Sequence, residues 1–114
     1  MFEKESGLLQ GTVELLVLKT LSWGPMHGYG ISRWIEERTR GVLEIEDAAL
    51  YKALHRLERA GSIEAEWGVS DNNRKAKFYK LTRLGRKQLE NETRNWEQAT
   101  AILARFLESS EGPA

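Results

Sequence analysis

The segment from Leu8 to Leu21 has the length of a helix and is apolar nearly all the way round. Its apolar residues are Leu8, Leu9, Val13, Leu15, Leu16, Val17, Leu18 and Leu21. A helix that is apolar on all sides is buried on all sides. A chain of 114 residues forms one domain with a modest core. We therefore expect this helix to be covered partly by its own domain and partly by a second copy of the chain.

Glycines, capping residues and hydrophobic periodicity divide the rest of the chain into further elements. The pattern predicts a second helix from about His27 to before Gly41 and a third from an N-cap at Asp47 to Ala60. A hairpin with strands at 63–67 and 77–81 and a turn at 68–73 follows. A fourth helix, capped by Thr82, runs from Arg83 to about Leu107. Three helices, a hairpin and a helix predict a mainly α fold with a two-stranded β wing (α+β). We interpret it as a winged helix-turn-helix domain in 1–81, a C-terminal dimerisation helix in 82–108 and a disordered tail in 109–114.

The third predicted helix has two chemically opposite faces. At 100° per residue, Leu50, Leu54 and Leu57 fall within about 60° of one another and form the core face. The opposite side and its flank carry Ala48, Ala49, Tyr51, Lys52, His55, Arg56 and Arg59. Small residues in the first turn let a helix N-terminus approach a surface closely. Such a face suits the major groove of DNA, with Lys52 and His55 reaching bases and Tyr51, Arg56 and Arg59 reaching phosphates.

Charge is segregated along the chain although the net charge is zero. Between Asp71 and Lys87 the basic residues are Arg74, Lys75, Lys77, Lys80, Arg83, Arg86 and Lys87, and Asp71 is the single acid. A wing with Arg74, Lys75 and Lys77 near its tip suits the DNA backbone or minor groove. Two alternatives remain: ordinary solvated charge on both elements, and a winged-helix module that binds a protein partner without DNA, which a neutral or acidic wing would favour.

Several segments together resemble the PadR family of bacterial repressors. They are LQGTVELLVL at 9–18, HGYGI at 27–31, LYKALHRLE at 50–58 followed by Gly61, and RKAKFYKLT at 74–82 followed by Gly85. The resemblance covers Leu8 to Phe106 and implies a winged-helix repressor. Family members commonly carry Ser or Thr before the Leu-Tyr pair, where this chain has Ala49. A phosphate contact from that hydroxyl is therefore missing.

The fourth helix carries a seam typical of helix pairing. Leu89, Trp96 and Leu103 recur every seven residues, with Ala99 and Phe106 three residues after the last two. Together with the apolar first helix, the seam predicts a homodimer interface of Leu8, Leu9, Leu89, Trp96, Leu103 and Phe106. Packing of the fourth helix on its own domain alone is the alternative.

The surroundings of Trp96 suggest room for a ligand. Like other small family members with a single C-terminal helix, this chain resembles multidrug-sensing regulators. Those regulators bind planar aromatic compounds between tryptophans at the dimer interface. The resemblance implies an aromatic effector near Trp96, Ala99 and Thr100, and ordinary interface packing of Trp96 is the alternative.

Other classes of protein find little support. The chain has no cysteine, and its two histidines have no partners at metal-ligand spacing, so we expect neither metal nor cofactor. Gly24, Gly28 and Gly30 do not form a phosphate-binding pattern, and no nucleophile motif is present, so we expect no enzyme. No signal peptide or membrane span is apparent, and the expected compartment is the reducing cytoplasm.

Overall fold

A computed structural model describes the backbone of residues 7–113 and the side chains of residues 12–113. The elements in chain order are α1 (Gly7–Leu21), β1 (Met26–His27), α2 (Gly28–Arg38), α3 (Asp47–Arg59), β2 (Ile63–Val69), β3 (Lys75–Leu81) and α4 (Arg83–Glu108). The four predicted helices and the hairpin are confirmed. The fold is a winged helix-turn-helix with a long C-terminal helix.

The core lies where α1, α2 and α3 meet one face of the hairpin. Val17, Leu18 and Ile31 are fully buried, and the predicted core face of α3 is buried throughout. Each such side chain stabilises the fold by about 1.5 to 3 kcal/mol relative to its exposed state. Within α1, Leu15 and Leu16 remain half-buried in the single chain. That helix therefore retains apolar surface that its own domain does not cover.

The sheet has three strands rather than the two predicted. Its order is β1-β3-β2, with Met26 opposite Tyr79 and His27 opposite Phe78. His27 also caps α2, because its Nδ1 atom accepts a hydrogen bond from the backbone N–H of Gly30 at 3.0 Å. A strand of two residues is too short to show any alternation in sequence. The edge of the wing is thereby fastened to the first turn of α2.

The two ends of α3 differ in how well the sequence predicted them. The N-cap is Glu46 and not Asp47, and it makes no side-chain capping bond. Asp47 is the first helical residue, where its carboxylate favours the positive end of the helix dipole. At the other end Gly61 has a φ of 81°, and Ser62 N–H donates to the carbonyl of Leu57 at 2.9 Å. This C-terminal motif turns the chain directly into β2, as the glycine predicted.

The hairpin is longer than predicted, and its turn is correspondingly shorter. β2 runs on to Val69 and β3 begins at Lys75, so the turn is reduced to residues 70–74. In the sequence Ile63, Ala65 and Trp67 alternate with Glu64 and Glu66, a period that predicts a half-buried strand with Trp67 on its apolar face, but Trp67 is 62% exposed. The reason is that the hairpin extends past the core, so the inward-facing positions near its tip have nothing to pack against.

The start of α4 is fixed to the turn between α3 and β2. The Thr82 hydroxyl accepts from Gly85 N–H at 3.1 Å and lies 2.6 Å from the carbonyl oxygen of Gly61. Gly85 is buried so closely against the carbonyl of Ser62 that a Cβ atom there would clash. From Thr93 onward every described side chain of α4 is exposed. The helix of 26 residues, about 39 Å long, therefore projects beyond the core.

Candidate nucleic-acid interface

The exposed face of α3 presents basic side chains directly opposite the core. Leu50, Leu54 and Leu57 are each 1% exposed and fix the rotation of the helix. Lys52 and Arg59 consequently point to solvent, as do Ala48, Ala49 and His55. Ala48 and Ala49 leave the first turn free of bulky side chains. The structure therefore brings the expected reading residues of α3 onto one accessible surface.

The two flanks of α3 contact different parts of the molecule. On one flank the Nη1 atom of Arg56 lies 3.6 Å from Oε2 of Glu14 in α1. On the other flank the Tyr51 ring covers Gly28, where a Cβ atom would come within 2.5 Å of the tyrosine hydroxyl oxygen. Gly28 therefore permits the close approach of α2 to α3. Tyr51 remains about half exposed beside the first turn of α2.

The wing projects two of its expected basic residues freely. Arg74 and Lys75 are exposed at the turn, which is closed by a hydrogen bond from Ser70 N–H to the carbonyl of Arg74 at 2.8 Å. The Nζ atom of Lys75 lies 5.2 Å from the centre of the Trp67 ring. A cation over an indole face is attracted by the ring quadrupole. The tip of the wing thus combines positive charge with an aromatic surface.

Lys77, opposite Trp67 on the wing, is held against α3. Its Nζ atom lies 3.6 Å from Oε1 of Glu58 in α3 and 5.7 Å from the centre of the Tyr79 ring. Tyr79 is buried, and desolvation raises the pKa of its hydroxyl, with smaller effects of the same sign from Glu58 and Tyr51. The hydroxyl is therefore neutral at physiological pH, and Glu58 is the acid that faces Lys77.

The electrostatics of this surface are dominated by cations without acidic partners. The pairs of Arg56 with Glu14 and Lys77 with Glu58 are exposed ion pairs of small net energy. Lys52, Arg59, Arg74 and Lys75 make no ion pair with any residue whose side chain the structure describes. These unpaired cations on the exposed face of α3 and at the tip of the wing attract a polyanion.

The interface positions expected on α4 are separate from this basic surface. Leu89 packs against the core, whereas Trp96, Leu103 and Phe106 are 38%, 60% and 78% exposed. Ile102 and Leu107, which the seven-residue pattern did not single out, are 66% and 79% exposed. Leu8 and Leu9 lie outside the residues whose side chains are described. The distal half of α4 thus carries a wide apolar stripe that the chain itself leaves uncovered.

The three positions expected to bind an effector lie together on this exposed part of α4. Ala99 and Thr100 follow Trp96 by about one helical turn, and all three are exposed. The Thr100 hydroxyl lies 3.0 Å from the carbonyl oxygen of Trp96, to which it donates. The hydroxyl is therefore paired within the helix, and the residues that follow the indole along this part of α4 are small.

Two other kinds of site have no support in the described part of the chain. Within the described residues, no three His, Asp or Glu side chains form a cluster that could hold a metal ion. No helix within the described residues is both long and apolar enough to cross a membrane.

Comparisons with known proteins agree with this architecture. Residues 17–91 match the transcriptional regulator PadR-like family. An uncharacterized protein of Lysinibacillus sphaericus is 31% identical over 106 residues, which cover 93% of this chain and 97% of that protein. A transcriptional regulator from Clostridium thermocellum has a similar structure, with a TM-score of 0.83 and 28% identity over 91% of this chain and 98% of that one. A PadR family transcriptional regulator from Eggerthella lenta is also similar, with a TM-score of 0.79 and 27% sequence identity. The match covers 90% of this chain and 88% of that one.

The fold and its basic surface define a winged-helix regulator of transcription. The chain belongs to the PadR-like family of transcriptional regulators.

Proposed function

We propose that this regulator binds DNA sequence-specifically as a homodimer and represses transcription from a near-palindromic operator in the cytoplasm. The observation that carries the proposal is the basic surface that runs from the exposed face of α3 to the inner face of the wing, which is the face that carries Lys75 and Lys77. It combines unpaired cations with a helix start free of bulky side chains. A helix of this kind fits the major groove, and a basic hairpin fits the neighbouring backbone.

Specificity is assigned to α3 and much of the affinity to phosphate contacts. Lys52 and His55 point away from the core, which supports a role in donating hydrogen bonds to base edges. Tyr51, Arg56 and Arg59 flank them and contact phosphates, while Arg74, Lys75 and Lys77 follow the backbone from the wing. Ala49 supplies no hydroxyl, so its role is to permit close approach of the helix N-terminus. Release of counterions from the contacted phosphates supplies much of the free energy of binding.

The homodimer is supported by the uncovered apolar stripe of α4 together with the half-buried apolar residues of α1. An exposed patch of this kind on a small soluble domain marks a protein interface. Pairing about a two-fold axis buries Leu103 and Phe106 against the partner and presents the two copies of α3 to half-sites related by the same two-fold rotation. The half-sites then lie one helical turn apart or a multiple of it.

A planar aromatic effector is a second element of the proposal. Trp96 is 38% exposed in the single chain and is followed one turn later by Ala99 and Thr100. In a dimer, two such indoles with small neighbours leave room for a flat ring between them. Binding there shifts the relative position of the two α3 helices and releases the operator.

Duplex binding and its salt dependence test the proposal. Fluorescence anisotropy with a mixed-sequence duplex should show binding at low salt that weakens steeply at physiological salt, because several phosphates are neutralised per dimer. Selection from a random duplex pool should then enrich a near-palindrome. Absence of duplex binding at low salt, or an affinity independent of salt, would contradict the proposal and favour the protein-binding alternative.

A further inference from the structure

The inner face of the wing contains an exposed tryptophan that the core does not explain. Trp67 in β2 pairs with Lys77 in β3, and residues directly opposite each other in an antiparallel ladder share a face. The next pair toward the core on this face joins Ala65 to Tyr79, which is buried. Lys77 reaches Glu58 of α3. Trp67 therefore faces the side of α3, one pair beyond the end of the core.

The same face continues to the tip with apolar and basic residues only. Val69 is 66% exposed and lies opposite Lys75, whose Nζ atom is over the Trp67 ring at 5.2 Å. Two exposed apolar side chains are thus interleaved with two lysines. The wall of a DNA groove has the complementary pattern, since apolar deoxyribose rings alternate with phosphates along it.

The opposite face of the hairpin has the reverse character. Glu64 and Glu66 alternate with the inward positions of β2 and are both exposed. Phe78 covers Gly68 there, where a Cβ atom would lie 3.1 Å from the phenyl ring. Glu64 is paired on that face with Lys80, whose Nζ atom lies 3.4 Å from Oε1 of the carboxylate, whereas Glu66 lies opposite Phe78. Two carboxylates outweigh the one lysine of that face and disfavour a polyanion, so the face that carries Trp67 is the better match for DNA.

We propose that Trp67 contacts DNA directly: its indole ring enters the minor groove beside the major groove occupied by α3 and packs against the deoxyribose wall. Lys75 holds the neighbouring phosphate. This inference rests on the proposed DNA binding and adds a residue to it. Apolar side chains inserted into the minor groove are a known means of recognising its width and deformability. Trp67 accordingly favours narrow or easily bent sequence beside each half-site.

The affinity test uses the chain of 114 residues and a mixed-sequence duplex at low salt. Trp67→Ala should lower the affinity about tenfold, and Trp67→Phe should lower it less because a flat ring remains. Trp23→Ala is the matched control. Like Trp67, Trp23 is exposed, to 58%, and has a lysine near its ring, with Lys19 Nζ 4.7 Å from the ring centre. Unlike Trp67, it lies outside the wing, between α1 and β1. It should leave affinity unchanged. Thermal unfolding of the two Trp67 variants should match the wild type, whereas Trp23→Ala also loses an edge-to-face contact with Trp34, so affinities are compared at a temperature where every variant is folded.

The position of the ring in the groove is tested with netropsin, a ligand that fills the minor groove of A·T sequence. On a duplex with A·T flanks, netropsin should weaken the wild type strongly and Trp67→Ala much less. DNA should also protect the wild type from acrylamide quenching more than it protects Trp67→Phe.

Three results would overturn the inference in different ways. If the wild type binds duplex and Trp67→Ala binds equally well, the inference fails while the proposed function stands. If the wild type binds no duplex, both fail. An altered sedimentation coefficient of Trp67→Ala with unchanged DNA affinity would assign the ring to a protein contact and also overturn the inference.

Discussion

Lys77 of the wing and Glu58 of α3 form an ion pair, with the lysine Nζ 3.6 Å from Oε1 of the carboxylate. The pair joins the two elements proposed to contact DNA and neutralises one of the expected phosphate ligands. Lys75, two residues away on the same face, faces no described acid. The two lysines therefore carry the same charge on the same face of the wing, but only Lys77 is paired with a described acid.

The first prediction follows from this difference. Lys75→Ala should weaken binding to any duplex and reduce the salt slope by about one for each subunit that engages DNA. Lys77→Ala should reduce it by less, because Glu58 already compensates that charge. Glu58→Gln should release Lys77 and raise affinity at low salt. Anisotropy titrations over a salt series measure all three slopes, and a lower affinity for Glu58→Gln would contradict the assignment.

The second prediction concerns assembly through α4. Leu103→Glu or Phe106→Glu places a carboxylate in the apolar stripe and should dissociate the dimer, because burial of an unpaired charge is costly. Sedimentation equilibrium at micromolar concentration should then give the 13.0 kDa single chain, against twice that mass for the wild type. Ala101→Glu is the control, since Ala101 lies on the opposite side of the helix and is equally accessible. A wild type that sediments as a monomer would refute the dimer.

The third prediction concerns the anchoring of α4. A Cβ atom at Gly85 clashes with the backbone carbonyl of Ser62, which cannot move without disturbing the turn after α3. Gly85→Ala should therefore lower the free energy of unfolding by about 2 kcal/mol. Chemical denaturation measures the change, and Gly112→Ala, at a glycine with open space around it, should have almost no effect. Equal stability of the two variants would show that the start of α4 is not tightly packed.

The fourth prediction is a pH dependence at the root of the wing. Burial raises the pKa of Tyr79 above its ordinary value of 10.0. Below that value the hydroxyl is neutral in both states, and its contribution to stability is complete. As pH rises above 10.0, the unfolded chain ionises first, so stability is lost up to the folded pKa. Tyr79→Phe should flatten this decline in urea unfolding between pH 9 and 11, and an unchanged slope would contradict the shift.

Much of the fold could be predicted because its signals are local. The period of Leu50, Leu54 and Leu57 predicted the buried face of α3, and Gly61 and Thr82 predicted where elements end and begin. The strand β1 could not be predicted, because two residues show no period and pair only through the tertiary fold. The N-cap of α3 was misplaced by one residue. Asp is a preferred N-cap residue, which favoured Asp47, but the backbone enters the helix one residue earlier, with Glu46 as the N-cap.

The site was predicted less completely, for a physical reason. Basic residues on α3 and the wing are visible in sequence, but their partners are not, because Glu14 and Glu58 reach Arg56 and Lys77 from other elements. The exposure of Trp67 was also missed. Strand alternation identifies a face correctly but does not say how far the core extends beneath it.

The central claim is that α3 reads sequence while the wing supplies backbone affinity. The most direct measurement compares Lys52→Ala and Lys75→Ala on the selected operator and on a mixed-sequence duplex at two salt concentrations. Lys52→Ala should cost about 1 to 3 kcal/mol on the operator and much less on mixed sequence, because it removes a base contact. Lys75→Ala should weaken both duplexes alike and flatten the salt dependence. Equal losses on both duplexes for Lys52→Ala would contradict the account, since α3 would then contribute charge and no recognition.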